Sequence, residues 1–151
     1  MIDRVRALLA GDQSDPSVGL FVDGPNVLRE EFDVDLDDVR EAATGLGRLA
    51  VTRLYLDEHA TPGLIQAAEA RGFEVVVTSG DVDVKLAVDA TALASDGSVT
   101  VLAIASRDTD FKPVLECADR LGVETVAIAP GLHGRSDALR NAADREITLE
   151  G

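Results

Sequence analysis

The segment from Thr100 to Phe111 joins an uninterrupted apolar run to two closely spaced carboxylates. A run this short, apolar and partly β-branched predicts a strand buried on both of its faces, as in a parallel sheet. The run stops at Ser106, and Asp108 and Asp110 follow at once. Because a carboxylate at the end of a buried strand is costly unless a cation or a proton compensates it, this segment predicts a functional site.

Apolar runs of this kind alternate with amphipathic segments along the whole chain, which predicts a three-layer α/β domain with a mainly parallel sheet. The predicted strands cover residues 18–22, 49–56, 74–78, 100–106 and 125–129, with a short last strand at 147–149. The predicted helices cover residues 36–46, 61–71, 83–95, 110–121 and 136–143. Strand order 3-2-1-4-5 is one common solution for such a chain, but periodicity alone does not prove it.

The length of 151 residues suits a single domain, 1–151, in which residues 1–17 form an N-terminal helix and a connector. The net charge is −14, which argues against a broad basic face for nonspecific nucleic-acid binding but leaves local arginine–phosphate contacts open. This acidic, lysine-poor composition is similar to that of proteins from salt-accumulating archaea.

A single cysteine excludes an internal disulfide and a cysteine-based zinc site. Without an apolar stretch of about 20 residues or a signal peptide, we expect no membrane association and a cytoplasmic location. The sequence leaves a homo-oligomeric state open.

A third aspartate is expected beside the first two. Asp23 ends the first strand, because Gly24 and Pro25 cannot continue a central strand. If strands one and four are neighbours, Asp23 lies next to Asp108 and Asp110 at the carboxyl edge of the sheet, where ligands of open α/β sheets bind. Clustered aspartates without histidine or cysteine suit Mg²⁺ or Mn²⁺, and such ions support phosphodiester hydrolysis.

Two further aspartates lie on the helix that follows strand three. Asp83 is near the start of this helix, so it is either a site carboxylate or simply its N-cap. Asp89 is about 120° around the helix from Asp83, in an apolar turn, so it either faces solvent or binds a cation. We expect both to belong to the acidic site.

Several polar residues near these acids are candidates for substrate binding. Each has an ordinary alternative as a turn residue, a helix cap or a solvated side chain. The candidates are Asn26, Lys85, Ser106, Arg107, Arg135 and Ser136.

Asp23-Gly-Pro-Asn26 and Ser106 to Phe111 together resemble the NYN domain, a branch of the PIN-like ribonucleases. That family has Asp-Gly-x-Asn after strand one and Ser-Gly-Asp-Ser-Asp-Phe after strand four. Its helix motif Val-Asp-Val…Asp is similar to Val82 to Asp89, and its last motif is similar to Ser136 to Asp144. The resemblance covers roughly residues 18–149.

The resemblance implies a PIN-like, Rossmann-like sheet and RNA cleavage at a Mg²⁺ or Mn²⁺ site. It implies an acidic site supported by Asn26 and made of Asp23, Asp83, Asp89, Asp108 and Asp110. Of these, we expect Asp23, Asp89, Asp108 and Asp110 to bind the metal. The chain departs from the family at Arg107, where the family has glycine; this side chain could crowd the metal pocket or contact the scissile phosphate.

Two hypotheses follow. The first is a metal-dependent ribonuclease that hydrolyses RNA phosphodiester bonds. The second is a catalytically weak or inactive module that binds RNA or a protein partner as a regulator. A nucleotide-binding Rossmann domain does not fit, because Gly-x-Gly-x-x-Gly is absent after strand one.

Overall fold

The computed structural model describes residues 16–29, 34–131 and 136–149. Within them, six strands form one sheet in the order β3-β2-β1-β4-β5-β6, and every neighbouring pair is parallel. The strands are β1 (Ser17–Asp23), β2 (Arg48–Asp57), β3 (Glu74–Thr78), β4 (Val101–Ala105), β5 (Glu124–Ala129) and β6 (Arg145–Thr148). The predicted order is confirmed, and the last strand extends it at the β5 edge. The predicted N-terminal helix lies outside the described residues.

Helices cover both faces of the sheet, as the predicted three layers require. They are α1 (Gly24–Val27), α2 (Leu36–Thr44), α3 (Pro62–Ala70), α4 (Val82–Asp96), α5 (Lys112–Arg120) and α6 (Asp137–Ala142), with a 3₁₀ turn at Thr109–Phe111. The first three pack on one face, around Leu20 and Val22. The other three pack on the opposite face, around Phe21 and Tyr55. None of the helices in the described part of the chain is both long and apolar enough to span a membrane.

Local sequence signals fix the helix ends. Asp35 and Asp38 form a capping box at the start of α2, each carboxylate accepting a bond from the other's backbone N–H. The Thr61 hydroxyl accepts a bond from the Leu64 N–H at the start of α3. Gly97 ends α4 with a φ of 80°, a left-handed conformation that glycine adopts without strain.

The register of the two central strands places the site. Val22 of β1 is paired with Ala105 of β4, so Asp23 and Ser106 follow at the same carboxyl edge. Along β1, odd-numbered residues face α4 and even-numbered residues face α2 and α3. Asp23 therefore lies on the face covered by α4, the helix that carries Asp83.

Candidate metal centre and nucleic-acid groove

Three carboxylates converge at the carboxyl edge of the sheet. Asp83, Asp108 and Asp110 each contribute one carboxylate oxygen, and these three oxygens lie within 4.8 Å of one another. Asp83 comes from the first turn of α4, and the other two come from the turn after β4. Asp81 rather than Asp83 holds the N-cap position of α4, so the Asp83 side chain is not the cap. Three oxygen donors without histidine or cysteine suit a hard cation such as Mg²⁺ or Mn²⁺.

Asp23 lies beneath these carboxylates and is 5% exposed. Burial raises its pKa from an ordinary 3.8 to about 6; a hydrogen bond from Ser106 opposes this rise, and the negative charges of Asp108 and Asp83 add to it. The ionised form of Asp23 is therefore disfavoured in this site unless a positive charge is nearby. That is the behaviour expected of a group beside a cation site.

The Ser106 hydroxyl links two of the acidic residues. It donates to Asp23 Oδ2 at 2.9 Å and accepts from the Asp108 N–H at 3.0 Å. Ser106 is only 2% exposed, so it is enclosed by the protein. These contacts give it a positioning role, whereas its predicted contact with substrate stays a prediction.

Asn26 connects the turn after β1 to the turn after β4. It lies in α1, three residues beyond Asp23, and its Oδ1 accepts a bond from the Arg107 N–H at 2.9 Å. Asp108 in turn accepts from the Asp110 N–H at 2.9 Å. These bonds hold the backbone of the Arg107 turn, which carries two of the three clustered carboxylates.

Asp89 lies in a separate polar group on the same helix. The Tyr55 hydroxyl donates to Asp89 Oδ2 at 2.7 Å, and Lys85 Nζ lies 3.1 Å from Asp89 Oδ1. Burial is the main cause of a raised pKa of Tyr55, and the hydrogen bond to Asp89 is the second cause. Each carboxylate oxygen of Asp89 thus already accepts one bond, from Tyr55 or from Lys85. The predicted metal role of Asp89 and the predicted phosphate contact of Lys85 stay predictions.

Two cavities meet at the carboxylate cluster. The first, here called the acidic pocket, has a volume of about 340 Å³ and is lined by Asp23, Pro25, Asn26, Asp57, Gly80, Asp81, Val82, Asp83 and Asp108. The second, the polar groove, has a volume of about 590 Å³ and is lined by Asn26, Arg107, Asp108, Thr109, Ser136, Asp137 and Ala138. Asn26 and Asp108 line both, so the two cavities are adjacent.

The sequence-based prediction missed two acids of the pocket, Asp57 and Asp81. Asp57 ends β2, directly beside β1, so the argument that found Asp23 could have found it. Of the remaining candidates, Ser136 lines the polar groove and its hydroxyl caps α6 by accepting from the Leu139 N–H at 3.3 Å. Arg135 lies outside the described residues.

Comparison with known proteins identifies the family, because the NYN domain matches residues 17–150. The chain belongs to the NYN domain family. This family is a PIN-like nuclease family, and the acidic cluster of this NYN domain can hold a metal ion.

The NYN domain is similar to an uncharacterized protein of the archaeon Methanocaldococcus jannaschii, with 40% identity over 134 residues. The match covers 87% of this chain and 55% of that protein, so the chain spans about half the length of its relative. A solved structure of a protein of unknown function from Vibrio parahaemolyticus has the same fold, with a TM-score of 0.75 and 22% identity. That match covers 91% of this chain and 95% of the other.

Proposed function

We propose that this NYN domain is a metal-dependent ribonuclease that hydrolyses phosphodiester bonds of RNA. The observation that carries the proposal is the cluster of Asp83, Asp108 and Asp110, with carboxylate oxygens within 4.8 Å, in a domain of a PIN-like nuclease family. Asp108 of the cluster lines both the acidic pocket and the polar groove, so a phosphodiester in the groove would lie beside the cluster.

The donor set fits Mg²⁺ or Mn²⁺, and Asp83, Asp108 and Asp110 would hold the ion with Asp23 as the nearest buried carboxylate. When bound, such an ion polarises a phosphoryl oxygen and lowers the pKa of a water molecule.

Two neutral side chains next to the cluster hold its residues in place through hydrogen bonds. Ser106 holds Asp23 and the backbone of Asp108 through one hydroxyl, so the two acids keep a fixed separation. Asn26 holds the backbone at Arg107. Because the cluster is preorganised by these bonds, little reorganisation is needed when a charged substrate arrives.

The decisive experiment is cleavage of end-labelled RNA by purified protein in Mg²⁺ or Mn²⁺, at low and at molar salt. Asp108→Asn should abolish cleavage while the fold, followed by circular dichroism, stays intact. Asp119→Asn is the matched control, because Asp119 lies on the exposed side of α5 and lines neither cavity.

If Asp108→Asn cleaves RNA as fast as the wild type, the proposed mechanism is wrong. RNA binding without cleavage by the wild type in any of these conditions would support the regulatory module instead.

A further inference from the structure

The two cavities that meet at the carboxylate cluster differ in charge. The acidic pocket is lined by five carboxylates, those of Asp23, Asp57, Asp81, Asp83 and Asp108, and no cation occurs among the described residues that line it. Apart from a metal ion held by the cluster, a phosphate group entering from that side would meet carboxylates and no cationic side chain, at distances below the Debye length of about 8 Å.

The polar groove offers different chemistry. Arg107 lines it together with the hydroxyls of Thr109 and Ser136. The carboxylates of Asp108 and Asp137 also line it, and Arg140 Nη2, which lies 3.3 Å from Asp137 Oδ1, compensates part of the charge of Asp137. The groove is thus the side on which a polyanion is least repelled.

Several other cations in the described part of the chain form ion pairs outside the polar groove. Arg53, Arg71 and Arg145 form ion pairs with Glu74, Asp37 and Glu124. Lys85 pairs with Asp89 and lines a third groove with Val84 and Val88, which shares Gly80 and Asp81 with the acidic pocket. Among the described residues that line the acidic pocket and the polar groove, Arg107 is the only cation, whatever its own contacts.

We propose that the polar groove is the track of the RNA strand, that is, the surface along which the strand binds. Arg107 binds a phosphate in this groove on one side of the scissile bond only, and it thereby determines on which side of the cluster the strand lies. This inference rests on the proposed function and names the place of its substrate. The strand lies on the Arg107 side of the cluster, and the acidic pocket excludes the strand on the other side. The backbone of Arg107 is held by Asn26 Oδ1 at 2.9 Å, so its turn is fixed relative to the cluster.

The first test measures binding of a fluorescent RNA oligonucleotide in Ca²⁺, a hard cation with oxygen ligands, as a function of salt concentration. Arg107→Gln removes one charge from the groove, and Arg120→Gln removes one charge from the exposed last turn of α5. Loss of a charge-assisted phosphate contact should weaken binding about tenfold. It should also lower the slope of log K against log salt by about 0.7 for single-stranded RNA. The Arg120 variant should bind like the wild type.

The second test locates the phosphate. A series of oligonucleotides each carries one neutral methylphosphonate at a successive position around the scissile bond. Neutral phosphates should weaken binding at one or two positions on one side of that bond, and Arg107→Gln should abolish the effect at one of them. Positions on the other side should be insensitive in both proteins.

The outcomes separate this inference from the proposed function. If Arg107→Gln and Arg120→Gln have equal effects, if the methylphosphonate effect is symmetric, or if the wild type does not bind RNA, the track is refuted. If Arg107→Gln alone weakens binding but the wild type does not cleave RNA in Mg²⁺ or Mn²⁺, RNA binding in the polar groove through Arg107 stands and hydrolysis is refuted.

Discussion

Replacement of Asp23 by asparagine should stabilise the metal-free protein and abolish RNA cleavage at the same time. The wild-type carboxyl has a pKa of about 6 in the folded chain against an ordinary 3.8, mainly because it is buried. At pH 8 the folded protein must hold this group ionised, which costs about 3 kcal/mol relative to the unfolded chain. Asparagine has the same shape, carries no charge, and can still accept the bond from Ser106.

The effect has a defined pH dependence. Below the ordinary pKa of 3.8 the carboxyl is protonated in both folded and unfolded chains, so no cost applies. As the pH rises toward about 6, only the folded chain keeps the proton, and wild-type stability falls. The advantage of Asp23→Asn should thus be about 3 kcal/mol at pH 8 and about half of that at pH 5.

Urea unfolding with a metal chelator at pH 5 and pH 8 measures this difference, and an RNA cleavage assay follows activity. Asp119→Asn serves as the control and should change stability little at either pH, because Asp119 is exposed. A stability gain that is absent at pH 8, or equal at the two pH values, would refute the assignment of Asp23 as a buried, electrostatically disfavoured carboxylate.

Three further substitutions probe the surroundings of the cluster. Ser106→Ala removes a hydrogen bond that lowers the pKa of Asp23, so NMR titration should show a higher pKa for this group. The free energy of unfolding should fall by about 1–2 kcal/mol. Ser106→Thr keeps the hydroxyl and should restore both the pKa and the free energy of unfolding. Tyr55→Phe should cost about 1–2 kcal/mol and leave Mn²⁺ affinity by calorimetry unchanged; a large loss of affinity would place Asp89 in the metal site. Gly24→Ala puts a Cβ 2.5 Å from the Tyr55 carbonyl oxygen and should cost about 1–3 kcal/mol in thermal unfolding, whereas Gly63→Ala, with open space around it, should not.

The fold was largely readable from the sequence, because strand burial and helix caps are local signals. The apolar run of β4 and the cap at Thr61 lie where the pattern predicted them. Strand order needed the structure, since nothing in the periodicity distinguishes a neighbour of β1 from a more distant strand. The short helix α1 was predicted only as a turn, because four residues of Gly-Pro-Asn-Val carry no helical period.

The sequence predicted which residues lie at the candidate site better than it predicted the contacts that these residues make. The proximity of Asp83, Asp108 and Asp110 was expected because each follows a strand or begins a helix at the carboxyl edge, whereas the predicted metal ligands, Asp23, Asp89, Asp108 and Asp110, stay a prediction. The environment of Asp89 depends on Tyr55, which is 34 residues away in the chain, and no sequence spacing reveals that bond. The role of Ser106 as a link between Asp23 and Asp108 likewise depends on contacts formed only after β1 and β4 pair.

In the described sheet, the strand order places two three-stranded halves side by side, joined at the β1–β4 seam. Strands β1 to β3 form one half, β4 to β6 form the other, and α4 connects them. Asp23 and Asp83 precede the exposed turn at Gly97, while Asp108 and Asp110 follow it. A chain cut at this turn would therefore yield two fragments that each carry two of these four acids of the proposed metal site. Restored metal binding on mixing the fragments would then report their reassembly. An ion bound by carboxylates from both fragments would stabilise their association across the β1–β4 seam.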